Sequence, residues 1–280
     1  MESFINYFET IPPEHRSFIL VGGLALFWII ESGLPLFKFK YNKWQHALPN
    51  LFFTLTTVII NFALASLLYK TSKWVDASNF GVLNWLPDMP LWLYALLGVL
   101  LLDFFGAYLA HLVEHKVKPL WMVHLVHHTD HSVDTTTANR HHPLESLIRF
   151  FFTLFGVFIV GAPIALVFLY QSLSLVFSQF THANLKMPRR LDKALSYIIV
   201  SPDMHKIHHH YRLPYTDSNY GNIFSVWDHL FGTYMYMERE KLVYGVDVFP
   251  DEQKNSHIGE LLKQPFQKYE KPTLSADVEK

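Results

Sequence analysis

A chain of 280 residues in which half the side chains are hydrophobic, 24 are Phe and only 17% are charged is too apolar for an ordinary soluble domain. Its net charge of −1 leaves no electrostatic footprint for nucleic acid, and the absence of cysteine excludes disulfides, thiolate-held clusters and thiol catalysis. The composition predicts a membrane protein whose redox chemistry, if any, comes from a bound metal.

Residues 1–16 (MESFINYFETIPPEHR) lack the positive start of a secretory signal. The first apolar run, 17–37, carries Glu31 and Pro35 near its end and crosses a bilayer only with those residues at the interface. A basic loop (Lys38, Lys40, Lys43) leads to a second run at 49–69, and a polar connector, 70–90, to a third at 91–110. This third run has the roughly 20 residues a crossing requires. Asp103 lies inside it, about 12 Å before His111 along a helix. It is expected either to orient a ligand imidazole or to make an interhelical hydrogen bond.

The third run flows into residues 111–142, HLVEHKVKPLWMVHLVHHTDHSVDTTTANRHH, which hold eight of the 17 histidines. His111 and His115 are spaced HxxxH, and His124, His127 and His128 are spaced HxxHH. A second HxxHH recurs at His205, His208 and His209. Chance supplies roughly 0.06 copies of HxxHH per chain at this histidine frequency. Residues three and four apart share a helix face, so each box is expected to project its imidazoles to one side. Eight imidazoles exceed what one tetrahedral metal uses, which predicts two metal ions.

Between the boxes, residues 146–180 are apolar but broken at 161–163, which predicts a hairpin of two spanning helices that returns the chain to its starting side. His182 then emerges beside the first cluster. The following segment is basic (Lys186, Arg189, Arg190, Lys193), and 192–200 reads as an amphipathic surface helix. With the Lys38–Lys43 loop on the same side, the positive-inside tendency places the histidines toward the cytoplasm. The stretch from 250 onward reads as polar and loose. His15, His46 and His257 read as surface groups, His131 and His210 as neighbours of the ligands or solvent-facing groups, and His229 as a structural neighbour of Trp227. Asp134, Asp217 and Asp228 are expected to hold ligand imidazoles through their free N–H or to cap loops.

At these residues the chain resembles the fatty acid hydroxylase/sterol desaturase superfamily of integral-membrane non-haem di-iron oxygenases. It is most similar to bacterial sterol desaturase family proteins and the alkylglycerol monooxygenase-like branch. The likeness covers roughly residues 95–240. It rests on the three boxes, on Leu120-Trp121, on Arg140-His141-His142-Pro143-Leu144-Glu145, on His182-Ala183-Asn184, on Asp217-Ser218-Asn219-Tyr220-Gly221 and on Trp227-Asp228-His229-Leu230-Phe231-Gly232-Thr233. Leu112 and His229 depart from the arginines usual in the family, which bears on substrate or donor contacts more than on the metals.

The resemblance implies an all-α polytopic membrane bundle with a cytosolic histidine-rich helical cap. Residues 1–90 would form N-terminal spans and connectors, 91–240 the di-iron domain and 241–280 a polar tail. It implies two Fe ions held by His111, His115, His124, His127, His128, His182, His205, His208 and His209. His142 matches the family's histidine before proline and stands, with Asp103, Asp217 and Asp228, as a candidate supporting group. The implied activity is O2-dependent hydroxylation or desaturation of a membrane lipid such as a sterol, fatty acyl or ether lipid. Electrons would come from an external cytochrome b5, ferredoxin or flavin reductase, since no HPGG-type haem segment is present. A bacterial inner membrane and an endoplasmic reticulum both fit. The alternative is a histidine-rich metal-ion binding or transport protein, which predicts ionisable groups at the centres of several spans.

Overall fold

Inside a bilayer an apolar segment must satisfy its backbone internally, and helix is the local way to do so. The computed structural model, which describes residues 2–269, is accordingly all-α, with no β-strand among the described residues. Its helices are α1 (Glu2–Glu9), α2 (Pro13–Gly33), α3 (Lys43–Ala77), α4 (Val82–Trp85), α5 (Leu91–Asp103), α6 (Leu109–Lys116), α7 (Lys118–His128), α8 (Pro143–Val160), α9 (Ile164–His182), α10 (Arg189–Leu195), α11 (Pro202–His208), α12 (Val226–Phe231) and α13 (Ile258–Lys263). A π-helical turn, Phe104–Tyr108, joins α5 to α6 in one continuous rod.

Five segments are long and apolar enough to cross a membrane: α2, α3 with α4, α5 through α6, α8 and α9. The chain is a multi-pass membrane protein on that reading. Phe18 and Phe62 point outward, as lipid-facing groups do, while Leu102, Val157, Val160 and Val167 fill the centre. Gly98 lets α5 approach α9: a Cβ there would sit 2.3 Å from Leu166. The α8–α9 hairpin closes at Gly161, whose φ of 75° is left-handed and suits glycine.

α2 ends, α3 begins, α6 ends, α8 begins and α9 ends at one end of the bundle, and the cap sits there. Glu31 fastens this end. Buried at the foot of α2, it accepts from Lys43 Nζ at 2.7 Å, Thr135 N at 3.1 Å and Asn184 N at 2.9 Å. Arg140 does the same for the cap, donating from complete burial to Val126 O, Asn50 Oδ1, Thr129 Oγ1 and Asn255 O.

Two expectations change. The stretch after 250, read as loose, is folded onto the cap as far as it is described: Leu261 on α13 is fully buried against Phe53 of α3 and Val126 of α7. The remainder of that tail, 270–280, lies outside the described residues. His46, read as a surface group, is largely buried and bridges Asp130 (2.8 Å) and Asp134 (3.2 Å), holding the start of α3 to the loop after α7.

Candidate metal centre

The two HxxHH boxes do not present one face each. Residues i+3 and i+4 on a helix flank residue i on opposite sides, about 100° apart. The fold separates them. His124 and His128 of α7 join His111 and His115 of α6 and His208 of α11 in one group of five. His127 of α7 joins His205 and His209 and, from the end of α9, His182 in a group of four. Each box thus gives an i,i+4 pair to one group and its remaining histidine to the other. All nine predicted ligands fall in the two groups, and all are buried except His115, which is partly exposed.

Within the group of four, His182 Nε2 lies 3.1 Å from His127 Nε2, 3.0 Å from His205 Nε2 and 3.3 Å from His209 Nε2, and the last two are 3.3 Å apart. In the group of five, His124 Nε2 lies 3.1 Å from both His111 Nε2 and His128 Nε2. A tetrahedral ion with nitrogen ligands at 2.0–2.1 Å separates them by about 3.3–3.4 Å, so these spacings suit ligands around a cation. Tautomers agree. The Nδ1–H of His111 donates to Tyr220 O (2.9 Å), that of His208 to Ser218 O (2.6 Å), that of His182 to Ser178 O (2.7 Å) and that of His124 to Glu145 Oε1 (2.7 Å). Each of those four rings therefore turns an Nε2 lone pair inward. Lone pairs this close repel unless a positive ion lies between them, and the buried Nε2 atoms of His115 and His208 have no protein partner at all.

Burial, reinforced by neighbouring imidazoles, holds His124, His127, His128, His205 and His209 well below the ordinary range, the neutral form a metal requires. Burial likewise pushes His208 down to about 3, against the opposing pull of the Ser218 carbonyl. The unfolded imidazole titrates near 6.5, so below that pH the unfolded chain binds the extra proton. Holding this ring neutral costs nothing above about pH 6.5 and counts increasingly against the folded state as the pH falls from there toward 3. Thermal unfolding of metal-free protein in detergent should show a lower midpoint at pH 5.5 than at pH 7.5. An unchanged midpoint contradicts the neutral burial.

The supporting residues differ from those expected. Asp103 touches no imidazole: its carboxylate accepts from Ile223 N (3.2 Å) and Phe224 N (3.1 Å), pinning a loop, and meets the Trp227 side chain of α12, the interhelical role foreseen for it rather than the orienting of a ligand. Asp228 also grips this loop, accepting from Tyr220 N and Gly221 N, both at 2.8 Å. Asp228 thereby steadies the loop whose Tyr220 and Ser218 carbonyls accept from His111 and His208. Asp217 is 3.7 Å from His115 Nδ1, beyond hydrogen-bond reach, and pairs instead with Lys116 and the Tyr220 hydroxyl. His142 caps α8, accepting from Leu144 N at 3.1 Å, outside both groups; its neighbour His141 is the one that packs on His127. Asp134 caps the turn Thr135–Asn139, the loop role foreseen for it.

Sequence reasoning missed Glu114 and Arg149 and did not weigh Glu145. Arg149 on α8 reaches Glu114 at 2.7 Å and Glu145 at 3.0 Å, and Glu145 in turn holds His124. An arginine in an apolar run, four residues after a glutamate, was the available signal. A cavity of about 160 Å³ lined by His115, Trp121, Asp217 and Tyr269 borders the group of five.

These features define a polytopic helical membrane protein with a buried, two-part, all-histidine centre at the cap ends of its spans. Residues 95–233 match the family model described as fatty acid hydroxylase, and the chain belongs to that family. It is 27% identical over 150 residues to an ornithine lipid hydroxylase of Rhizobium tropici, a match covering 54% of this chain and 44% of the relative. Against alkylglycerol monooxygenase of Homo sapiens it is 30% identical, covering 60% of this chain and 36% of that one. Against methylsterol monooxygenase 2-2 of Arabidopsis thaliana it is 30% identical, covering 48% and 49%. The chain thus spans about half or less of the length of these relatives. No solved structure matches it.

Proposed function

We propose that this protein is an O2-dependent non-haem di-iron oxygenase that hydroxylates or desaturates a membrane lipid. The observation that carries the reading is the convergence of nine imidazoles into two adjoining buried groups at the cap ends of spanning helices. One iron in each group would supply the O2 binding and one-electron redox chemistry that no side chain here offers. The names of the relatives, which act on an ornithine lipid, an alkylglycerol and a methylsterol, favour lipid substrates and hydroxylation.

In hydroxylation, one C–H bond, one O2, two electrons and two protons become one C–OH and one water. The electrons belong to an external donor of the cytochrome b5, ferredoxin or flavin reductase class. The chain's own part is positional. Ser178, Ser218, Tyr220 and Glu145 hold four ligand tautomers, burial keeps water from the imidazoles, and the spans hold the lipid chain in register with the cap. On this reading residues 91–240 carry the chemistry, 1–90 supply membrane wall and the described part of the tail, 241–269, covers the cap. The basic loops around Lys38–Lys43 and Lys186–Lys193 support a cytoplasm-facing centre.

The test is metal analysis of detergent-purified protein prepared without oxygen, followed by lipid mass spectrometry under isotopically heavy O2. About two irons per chain, with heavy oxygen or an O2-dependent double bond appearing in one lipid class, is the expected result. Zinc alone, or lipids indifferent to O2, sinks the assignment. Against the transport alternative, Asp103, a carboxylate within a span, is occupied by the Ile223 and Phe224 amides.

A further inference from the structure

Part of the cap packs alongside the α5 span. Asp103, which receives the Ile223 and Phe224 amides, is eight residues before His111, roughly 12 Å further into the membrane along the rod. Ile223 is buried in one core with Val99, Leu102, Val157 and Val167 of the spans. The Phe104 ring packs against Trp227 at 4.8 Å and stacks with Phe231 of α12 at 5.7 Å, while Tyr108 stacks on Phe231 at 5.5 Å. The turn after α10 is drawn to the same level: Val200 N donates to Ile223 O (2.9 Å) and Ser225 N to Ile198 O (3.2 Å).

Side chains on the outer face of this descending unit are large and apolar. Ile198 is 64% exposed and Leu230 69%, in the range of the lipid-facing Phe18 (76%) and Phe62 (83%), and Leu191, Tyr197 and Phe231 are exposed beside them. Water is an unfavourable neighbour for such a patch. Arg189, Arg190 and Lys193 are exposed on α10 at its border, a basic rim beside an apolar face.

We propose that α10, α12 and the turn between Leu195 and Ser201 form a foot inserted into the leaflet on the cap side. Tyr197, Ile198, Leu230 and Phe231 enter the acyl region, and Arg190 and Lys193 meet phospholipid phosphates. The occupant is the bilayer itself, argued from continuity with the α5 surface at Phe104 and from the charge at the rim. Sequence pattern marked 192–200 as an amphipathic surface helix; the helix instead runs Arg189–Leu195 and gives way to a turn, and α12 joins this unit because Asp103 and Phe104 hold it against α5. The proposal rests on the spanning reading of α5 and not on the oxygenase reading.

The cysteine-free chain permits a direct test. Leu230→Cys, Ile198→Cys, Phe62→Cys and Lys254→Cys variants of the full chain are labelled with bimane. They are reconstituted in phosphatidylcholine vesicles with a minority of phosphatidylglycerol, some lipids carrying a nitroxide near the top of one acyl chain. Labels at Leu230 and Ile198 should be quenched several-fold more than the cap control at Lys254 and comparably to the span control at Phe62. Quenching at Phe62 alone, with Leu230 and Ile198 behaving like Lys254, overturns the foot and leaves the spans standing. Absence of quenching at Phe62 as well overturns the spanning reading, and the foot with it.

Discussion

Replacing His182 with alanine is expected to empty the four-histidine position, taking anaerobically purified protein from about two irons per chain to about one and lowering lipid oxidation by more than about 100-fold. His182 is the hub of its group. Its Nε2 lies 3.0–3.3 Å from all three partners, and its Nδ1–H is fixed by Ser178 O one turn back on α9. Alanine removes one vertex and leaves His127, His205 and His209 with a hole where the shared ligand stood. The group of five shares no residue with this one, so its metal should stay. His142→Ala is the control: that ring caps α8 and belongs to neither group, so iron content should hold. Full iron and activity in His182→Ala would remove the basis for a metal in that group.

Glu145→Ala is expected to weaken metal binding at the other position by about 10–100-fold, with Glu145→Gln recovering part of the loss. The Glu145 carboxylate accepts from His124 Nδ1 at 2.7 Å, fixing the ring's tautomer and making its Nε2 a stronger donor. It is itself held by Arg149 at 3.0 Å, whose other end is 2.7 Å from Glu114. Glu114, His124 and Glu145 sit close enough together to suggest a third metal position, but the Arg149 guanidinium already supplies the positive charge there. Glutamine keeps an acceptor for His124 and loses the charge, so it separates geometry from electrostatics. Titration of the purified protein with Co(II), followed by its visible ligand-field absorption, reads the effect without depending on turnover. Identical affinity and spectrum in wild type and Glu145→Ala would show that His124 needs no such support.

Helix content, the five apolar runs and the set of histidines that cluster could be read from the chain because each depends on local repetition. Apolar runs of about 20 residues dictate spans in any context. HxxxH and HxxHH put imidazoles on a helix by covalent spacing alone, and the break at Gly161 folds the α8–α9 hairpin that returns His182 to the boxes. The allocation of those imidazoles was not readable. Whether His127 sides with His124 or with His182 depends on where α9 and α11 stand relative to α7, and no periodicity encodes that.

The same limit explains the aspartates. Asp103, Asp217 and Asp228 were singled out correctly as buried or motif-borne carboxylates, yet the partner of each lies on another element: the Ile223 and Phe224 amides, Lys116, and the Tyr220 and Gly221 amides. A carboxylate in a sequence announces that it needs donors without naming them. His46 likewise found its two aspartates across the cap, and Leu261 found a hydrophobic seat that a polar tail gives no hint of. The sequence by itself determined which long runs are helical and apolar enough for lipid and which imidazoles share a turn, because these follow from bonds and near neighbours. Only the tertiary structure decided which imidazoles stand together, which carboxylates steady them and how the cap packs on the spans, because these follow from long-range packing, which brings together groups that chain spacing leaves unrelated.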